Sequence, residues 1–298
     1  MTLKKLTRRE ALKSIGLAAA ASFLFGSLPW RAFGRSRPEK SKVVLIRDRD
    51  LLDESGNIRR SVLEKMFDRA VLELTGASDI RTAWDSIVKP QDILGIKSNV
   101  WSHLSTPSGL EQIIKQRAMS SGVEERNMAI DDRGVLDNPV FKKATALINA
   151  RPMRTHDWSG VGSLIKNYIM FHPRPYEYHP DNCADLARLW EKPMVKGKTR
   201  LNVLVMITPL FHGVGPHHFN DKYTWPYNGL IVSFDPVAAD ATGLRIIQAR
   251  RKEYFGEERP ISPPAKHIRL ADIRHRLGNA DPARIDLIKL GWQADILI

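Results

Sequence analysis

Short runs of β-branched residues alternate with amphipathic stretches along this chain, and this alternation constrains the fold more than any other feature. Such runs form buried strands, and the stretches between them form helices that cover a parallel sheet. The predicted strands are residues 42–47, 92–97, 127–131, 146–149, 202–207, 230–234 and 285–290. The predicted helices are residues 60–74, 107–120, 161–168, 182–190, 236–254 and 268–277. The sequence therefore predicts an α/β fold with a mostly parallel sheet flanked by helices.

The clearest strand–helix–strand unit begins with the strand that ends at Lys97. A loop leads from it to Thr106, a good helix N-cap, and Pro107 suits the first helical position. In open parallel sheets, ligands collect at the carboxyl ends of the strands. Lys97 and Asn99 are therefore predicted to lie at a ligand site.

Prolines interrupt the pattern between residues 151 and 198, and histidines and tyrosines cluster within that segment. We interpret it as a long irregular excursion over the ligand edge of the sheet, because long loops of this kind commonly carry function. No linker divides the chain beyond residue 34, so residues 35–298 are predicted to form a single α/β domain.

Residues 1–34 are predicted to be a targeting segment. Arg8 and Arg9 precede a short apolar run at residues 14–28, a pattern typical of a twin-arginine export signal. The run is shorter than the roughly 20 residues of a membrane-spanning helix. Cleavage after Gly34 would give a periplasmic or otherwise exported protein, and an uncleaved signal would leave it anchored to the membrane. The twin-arginine export machinery is thus one predicted partner.

The chain carries 46 Lys and Arg residues against 33 Asp and Glu, a formal net charge of +13. This excess favours anionic partners. Nucleic acid is not expected, because the protein is predicted to be exported and no basic stretch is interleaved with base-stacking aromatics. Cys183 is the only cysteine, so this chain cannot supply the thiolates of an iron–sulfur cluster or of covalent haem attachment. The cofactor, if any, stays unknown.

Five short segments place polar side chains beside glycines or at the ends of predicted elements, where they could bind an anion or a metal. They are residues 95–99, 152–156, 160–167, 235–240 and 266–268. The candidate ligand-binding residues are Asn99, Arg154, Gly160, Gly162, Asn167, Asp240 and Lys266. The candidate catalytic residues are His156 and His267 for acid–base work, with Lys97 and Lys166 as electrostatic stabilisers.

The glycines give this site its predicted anion cradle. Gly160 and Gly162 precede a predicted helix, where successive backbone N–H groups and the helix dipole could bind an anion. An ordinary start of a helix explains them equally well. Asp240, inside a helix, could pair with Arg245 or Lys266 or ligate a metal.

Histidines offer a metal-binding alternative. His212, His217 and His218 lie on a glycine-containing loop, and His179 with Cys183 could form half of a metal site. A surface loop that is rich in histidine by chance, and a cysteine that is simply buried, are the competing interpretations.

The five segments, in this order and at about these separations, resemble the domain-of-unknown-function 362 family, in a twin-arginine-exported form without ferredoxin-type cysteines. The similarity extends from Val43 to Leu290. It implies a fold and a site but no settled reaction, and it carries no electron-transfer role over from relatives that have cysteine clusters. The resemblance places the family's site residues on Lys97, Asn99, Arg154, His156, Lys166 and Asn167.

Three hypotheses for function follow. The first is an exported protein that binds a small anionic or metal-complexed ligand in a polar pocket, with turnover left open. The second is a non-enzymatic accessory or maturation factor for envelope redox proteins, which would act through the basic segment 245–276. The third is a histidine-based metal carrier. Substrate, reaction, metal identity and oligomeric state stay open from the sequence.

Overall fold

The computed structural model describes residues 39–213 and 218–298. The predicted export signal, its boundary at residue 34 and His217 lie outside these ranges. The described strands are β1 (Ser41–Arg47), β2 (Leu94–Lys97), β3 (Met128–Asp131), β4 (Ala146–His156), β5 (Gly160–Gly162), β6 (Thr199–Leu210), β7 (Gly229–Ser233) and β8 (Ile285–Gly291). The α-helices are α1 (Arg60–Thr75), α2 (Ile80–Ile87), α3 (Ser108–Ser120), α4 (Pro139–Lys143), α5 (Leu164–Asn167), α6 (Pro236–Phe255) and α7 (Lys266–Ile273).

The strands form one eight-stranded sheet in the order β3-β2-β4-β6-β7-β1-β8, with β5 paired to β4 outside this path. Neighbouring strands are parallel from β3 to β6 and between β1 and β8, whereas β7 is antiparallel to both of its neighbours. The predicted α/β fold with a mostly parallel sheet is confirmed.

Both faces of the sheet are covered by helices. Alternate residues of β1 point to opposite sides, so Val43 and Leu45 join one hydrophobic cluster and Val44 and Ile46 join the other. The first cluster contains residues of α5, α6 and α7, and the second contains residues of α1, α2 and α3. Burial on both sides explains why the strands are continuous apolar runs in the sequence.

The crossovers place a crevice between β2 and β4. From β2 the chain continues through α3, on one face, to β3 at the edge of the sheet. From β4 it continues through α5, on the opposite face, to β6 in the other direction. Adjacent strands whose connections diverge in this way leave a ligand-binding crevice outside their carboxyl ends.

Strand β4 is longer than predicted and is irregular near its end. Its register with β6 shifts between Pro152 and Arg154. Such a bulge changes which residues face each side of the sheet. Asn149 and Arg151 share a face before the shift, and Arg154 and His156 join that same side after it.

The irregular excursion expected at residues 151–198 is confirmed only for residues 163–198, which are built from short helical turns; residues 151–156 and 160–162 belong instead to β4 and β5. The predicted helix at residues 161–168 is wrong at its start, which is strand β5. The predicted helix at 182–190 is replaced by a turn at Pro180–Cys183 and a 3₁₀ helix at Leu186–Glu191. Left-handed backbone at Asp181, Asn182 and Cys183, with φ of 52°, 54° and 61°, prevents a continuous helix there.

Two other local predictions were wrong or incomplete. Thr106 does not cap α3; its hydroxyl accepts from the Asn99 N–H at 3.0 Å and donates to the Ala150 carbonyl at 3.1 Å. Helix α2 was missed, although Asp79 caps it by accepting from the Thr82 N–H at 2.9 Å. Across the described ranges, no helix combines the length and apolarity that a membrane crossing requires.

Gly160 should tolerate no side chain. Its φ is +72°, and a Cβ there would lie 2.4 Å from the Pro263 carbonyl oxygen. Gly197 has the same kind of backbone, with φ of +70°, but open space around it. We expect Gly197→Ala to cost about 1–2 kcal/mol of unfolding free energy, from the left-handed backbone alone. Gly160→Ala should cost about 1–3 kcal/mol more, from the added overlap. Urea denaturation of both variants measures the difference, and equal losses would contradict the packing described for β5.

Candidate functional site

A cavity of about 190 Å³ opens at the carboxyl ends of β2, β3 and β4, where the strand connections diverge. It is lined by Asn99, Trp101, Asp132, Arg133, Arg151, Arg154, His156, Lys166, Asn167, Ile169, Met170, Pro175 and His179. This volume far exceeds the roughly 30 Å³ of one water and lies below the roughly 300–1,000 Å³ of typical drug-sized pockets. The cavity is therefore of a size for a small molecule or for one end of a larger one.

The structure brings some of the predicted site residues to this cavity and leaves others elsewhere. Those that line it are Asn99, Arg154, His156, Lys166, Asn167 and His179. The predicted residues outside its lining are Lys97, Gly160, Gly162, Cys183, His212, His218, Asp240, Lys266 and His267. Asp132, Trp101 and Arg151 line the cavity and were not predicted.

Lys97 lies behind the cavity lining, where its ammonium contacts Asp132 and donates to Oδ1 of Asn167 at 3.4 Å. Its fully buried ammonium forms an ion pair with the Asp132 carboxylate and donates to the Ser98 carbonyl oxygen at 2.7 Å. Burial lowers the pKa of Lys97 to about 8, against the opposing effect of Asp132. Lys97 therefore holds Asp132 in place, which differs from the direct contact with a ligand that the sequence suggested.

Arg151 is the most informative residue that the sequence analysis missed. It is 3 % exposed, lines the cavity, and forms no hydrogen bond or ion pair with any residue in the described ranges. Burial lowers its pKa, and the charges of Asp132 and Asp240 only partly oppose this effect. An arginine in the middle of a buried strand was the available signal, but the predicted strand stopped at residue 149.

Arg154 is likewise buried, with side-chain nitrogen atoms that lack hydrogen-bond partners among the described groups. It is 5 % exposed, and its Nε and Nη1 atoms have no hydrogen-bond partner among the described groups. Its guanidinium lies 3.9 Å from the ring centroid of Trp101, a cation–π contact. Burial and the charge of Arg151 lower the pKa of Arg154.

Lys166 is the third buried cation. It is 3 % exposed, and its Nζ contacts the Cys183 Sγ at 3.6 Å, a weak acceptor. Burial lowers the pKa of Lys166 to about 8, Cys183 partly opposes this, and the charges of Arg151 and Arg154 add to it. Unlike Lys97, it has no carboxylate partner in the part of the chain that the structure describes.

The histidines around these cations are neutral at pH 7. His156 accepts a hydrogen bond from the Trp158 N–H through Nδ1 at 3.3 Å, and burial and Lys166 hold its pKa far below the usual value. The same causes lower the pKa of His179 to about 4 and of His267 to about 3. His267 is fully buried, and neither ring nitrogen has a partner among the described groups. Because a general base works best with a pKa near the operating pH, none of these histidines is a strong base while the cations are uncompensated.

Asp240 supplies the anion at the start of α5. Its carboxylate accepts from the Ser163 hydroxyl at 2.6 Å and from the N–H groups of Leu164 and Ile165, each at 2.9 Å. Its predicted pairing with Arg245 or Lys266 is therefore wrong, and burial raises its pKa to about 7. Lys266 instead forms an ion pair with Asp181.

The predicted anion cradle at Gly160 and Gly162 is also wrong. Both residues belong to β5, and the N–H groups that follow are bonded to Asp240. A Cβ at Gly162 would lie 2.6 Å from Nη2 of Arg151. This glycine therefore leaves room for the guanidinium beside the cavity.

Two asparagines complete the lining. The Asn167 amide donates to Asn149 Oδ1 at 2.8 Å and to the carbonyl oxygens of Lys97 and Ala150, each at 3.3 Å, so its own orientation is fixed. Asn99 Oδ1 is buried and accepts no hydrogen bond from a described residue. It is available to accept one from a ligand hydroxyl or amine.

The metal alternative has no complete site in the described ranges. They contain no group of three or more His, Cys, Asp and Glu residues placed to hold a metal ion. His212 lies 3.0 Å from Nη1 of Arg251, His218 is exposed, and His179 stacks on Trp158 at 4.1 Å between ring centroids. His217 lies outside the described residues, so the metal prediction stays untested there.

Fold and site together define an α/β protein with a cationic pocket at the switch point of its sheet. Residues 102–245 match the family model described as a domain of unknown function, DUF362, which supports the resemblance inferred from the sequence. The match contains Arg151, Arg154, His156 and Lys166. No curated protein and no solved structure matches the chain.

Paired and unpaired cations should respond to substitution with opposite signs. Lys97→Met would leave Asp132 buried without its partner, and we expect a loss of about 3–5 kcal/mol of unfolding free energy. Arg154→Met would remove an uncompensated buried charge, whose cost exceeds the roughly 2 kcal/mol of a buried cation–π contact. We expect a gain of about 1 kcal/mol, which corresponds to about 2–4 °C in Tm.

Thermal and urea unfolding in low-salt buffer with chloride as the only anion measure both changes. A clear loss of stability in Arg154→Met would mean that this arginine serves the fold rather than a ligand.

Proposed function

We propose that this protein binds a small, multiply charged anion in the cavity between β2 and β4. One observation carries the proposal: Arg151, Arg154 and Lys166 are each at most 5 % exposed and lack an acidic hydrogen-bonding partner in the described part of the chain. A buried charge is costly unless it is paired. Three such charges at one cavity are accounted for by a ligand that supplies the missing negative charge.

The surrounding acids support a ligand with more than one negative charge. Asp132 is already paired with Lys97, and Asp240 is bonded to the start of α5. Their charges act on Arg151 but form no hydrogen bond with it. Two guanidinium groups and one ammonium therefore remain for the ligand, and guanidinium groups are suited to bidentate binding of carboxylate, sulfate or phosphate oxygens.

The accessory-factor hypothesis is less well supported. Part of the basic segment 245–276 is neutralised within the chain: Arg250 pairs with Glu253 and Lys252 with Glu258, each at 2.7 Å, and Arg274 with Asp185 at 2.8 Å. These pairs reduce the positive charge that would attract a partner, and exposed charges are further screened by salt. An envelope redox protein thus remains the weaker candidate partner, and the twin-arginine pattern supports our proposal that the ligand is met outside the cytoplasm.

Sulfate tests the site because it is doubly charged and does not titrate near neutral pH. We expect calorimetry to show binding that Arg151→Met weakens about 10–100-fold, the value of one charge-assisted hydrogen-bonding group. Arg188→Met makes the same change of charge at an exposed residue outside the cavity and should leave the affinity unchanged. Equal losses in both variants, or no binding of sulfate to the parent protein, would rule out this site.

Affinity for sulfate should fall as the pH rises from 7 to 9. The pKa of Lys166 is lowered to about 8, and a bound anion favours the protonated amine, so binding takes up a proton. As the pH rises through 8, Lys166 loses its proton in the free protein, so protonating it on binding lowers the observed affinity. Lys166→Met should bind sulfate more weakly at pH 7 and lose most of this pH dependence. Calorimetry across the pH range measures it, and a flat profile in the parent protein would contradict the role given to Lys166.

A further inference from the structure

We propose that Lys166 is a nucleophile that forms an imine with a carbonyl-bearing anion, such as a 2-oxo acid, held in this cavity. This inference rests on the proposed anion-binding function and adds a covalent step to it. It arises from a contrast between two lysines at one site. Lys97 is paired with a carboxylate, whereas Lys166 lines the cavity and contacts only a sulfur atom among the described groups.

The groups that face Lys166 favour its neutral form. Arg151 and Arg154 approach from β4, His267 from α7 and His179 from the excursion, and each of these groups is either cationic or neutral. Among the described groups that act on Lys166, the thiol of Cys183 is the one whose ionisation would favour the ammonium, and burial raises the pKa of that thiol. A desolvated lysine beside other cations is the environment in which an amine becomes a nucleophile.

The same cavity can orient a carbonyl acid. The guanidinium groups of Arg151 and Arg154 would bind the carboxylate, which places the adjacent carbonyl carbon within a cavity that Lys166 also lines. Asn99 Oδ1 can accept a hydrogen bond from the hydroxyl of the addition product. His156, which also lines the cavity and is neutral, can carry a proton between nitrogen and oxygen.

The step balances without an oxidant or reductant. The lone pair of Lys166 Nζ attacks the carbonyl carbon, a C–N bond forms, and the π electrons of the carbonyl move to oxygen. A proton passes from nitrogen to that oxygen, with His156 as carrier, to give a neutral carbinolamine. The nitrogen lone pair then expels the hydroxyl group, which takes up a proton from solvent and leaves as water. The product is a protonated imine, whose positive charge the bound carboxylate helps to stabilise.

Borohydride trapping tests this inference. The full chain is incubated with 2-oxoglutarate, reduced, digested and mapped by mass spectrometry. We expect a reduced adduct at Lys166, formed at least about 10-fold faster than at surface lysines because its neutral fraction near pH 8 is larger. Sulfate should compete with adduct formation. Glutarate, which lacks the carbonyl, should bind without forming an adduct.

Lys166→Arg keeps the positive charge but cannot form an imine, and Lys192→Arg makes the same change outside the cavity lining. We expect the adduct to be lost in the first variant and kept in the second, with sulfate affinity in Lys192→Arg within about threefold of the parent. Trapping spread over surface lysines, or no adduct while sulfate and glutarate still bind, overturns the imine and leaves the anion site intact. If the parent protein binds neither sulfate nor glutarate, both proposals are overturned.

Discussion

The placement of buried positive charge at the ends of β2 and β4 is the constraint on which this site depends. Burial of a cation costs several kcal/mol unless a partner compensates it. The structure meets this requirement at Lys97, through Asp132, and leaves it unmet at Arg151 and Arg154 within the described residues. Under our proposal, the difference separates a residue that builds the site from residues that would bind a ligand, although all three are at most 5 % exposed.

The fold was largely predictable because its strands are buried on both sides. A strand with two covered faces is a continuous apolar run, and such a run is visible in the sequence without knowledge of its neighbours. The failures fall where tertiary contacts decide the local structure. Gly160–Gly162 is a strand because it pairs with β4, and the helix predicted at residues 182–190 is broken by left-handed backbone at Asp181 and Asn182.

The site was predictable in part for a similar reason. Arg154, His156 and Lys166 stood out because they occur beside glycines or at the ends of predicted elements. Arg151 did not, since it lies within the extended strand β4, and regular alternation would place it opposite Arg154. Only the register shift after Pro152 brings the two guanidinium groups to one side of the sheet. A bulge is a property of strand pairing, and the local sequence does not predict it.

The arrangement also couples binding to protonation. Burial, together with the charges of Lys166 and Arg151, lowers the pKa of His156 and His267, so both imidazoles are neutral beside the two guanidinium groups. The negative charge of a bound anion would offset part of the positive charge of these cations. It would thereby raise the pKa of each histidine and make it a better base. Acid–base capacity would then be greater once a ligand is in place. Under our proposal, the charge that binds the ligand is one of the causes, beside burial, that lower the pKa of these histidines without it, so proton transfer is favoured in the bound state.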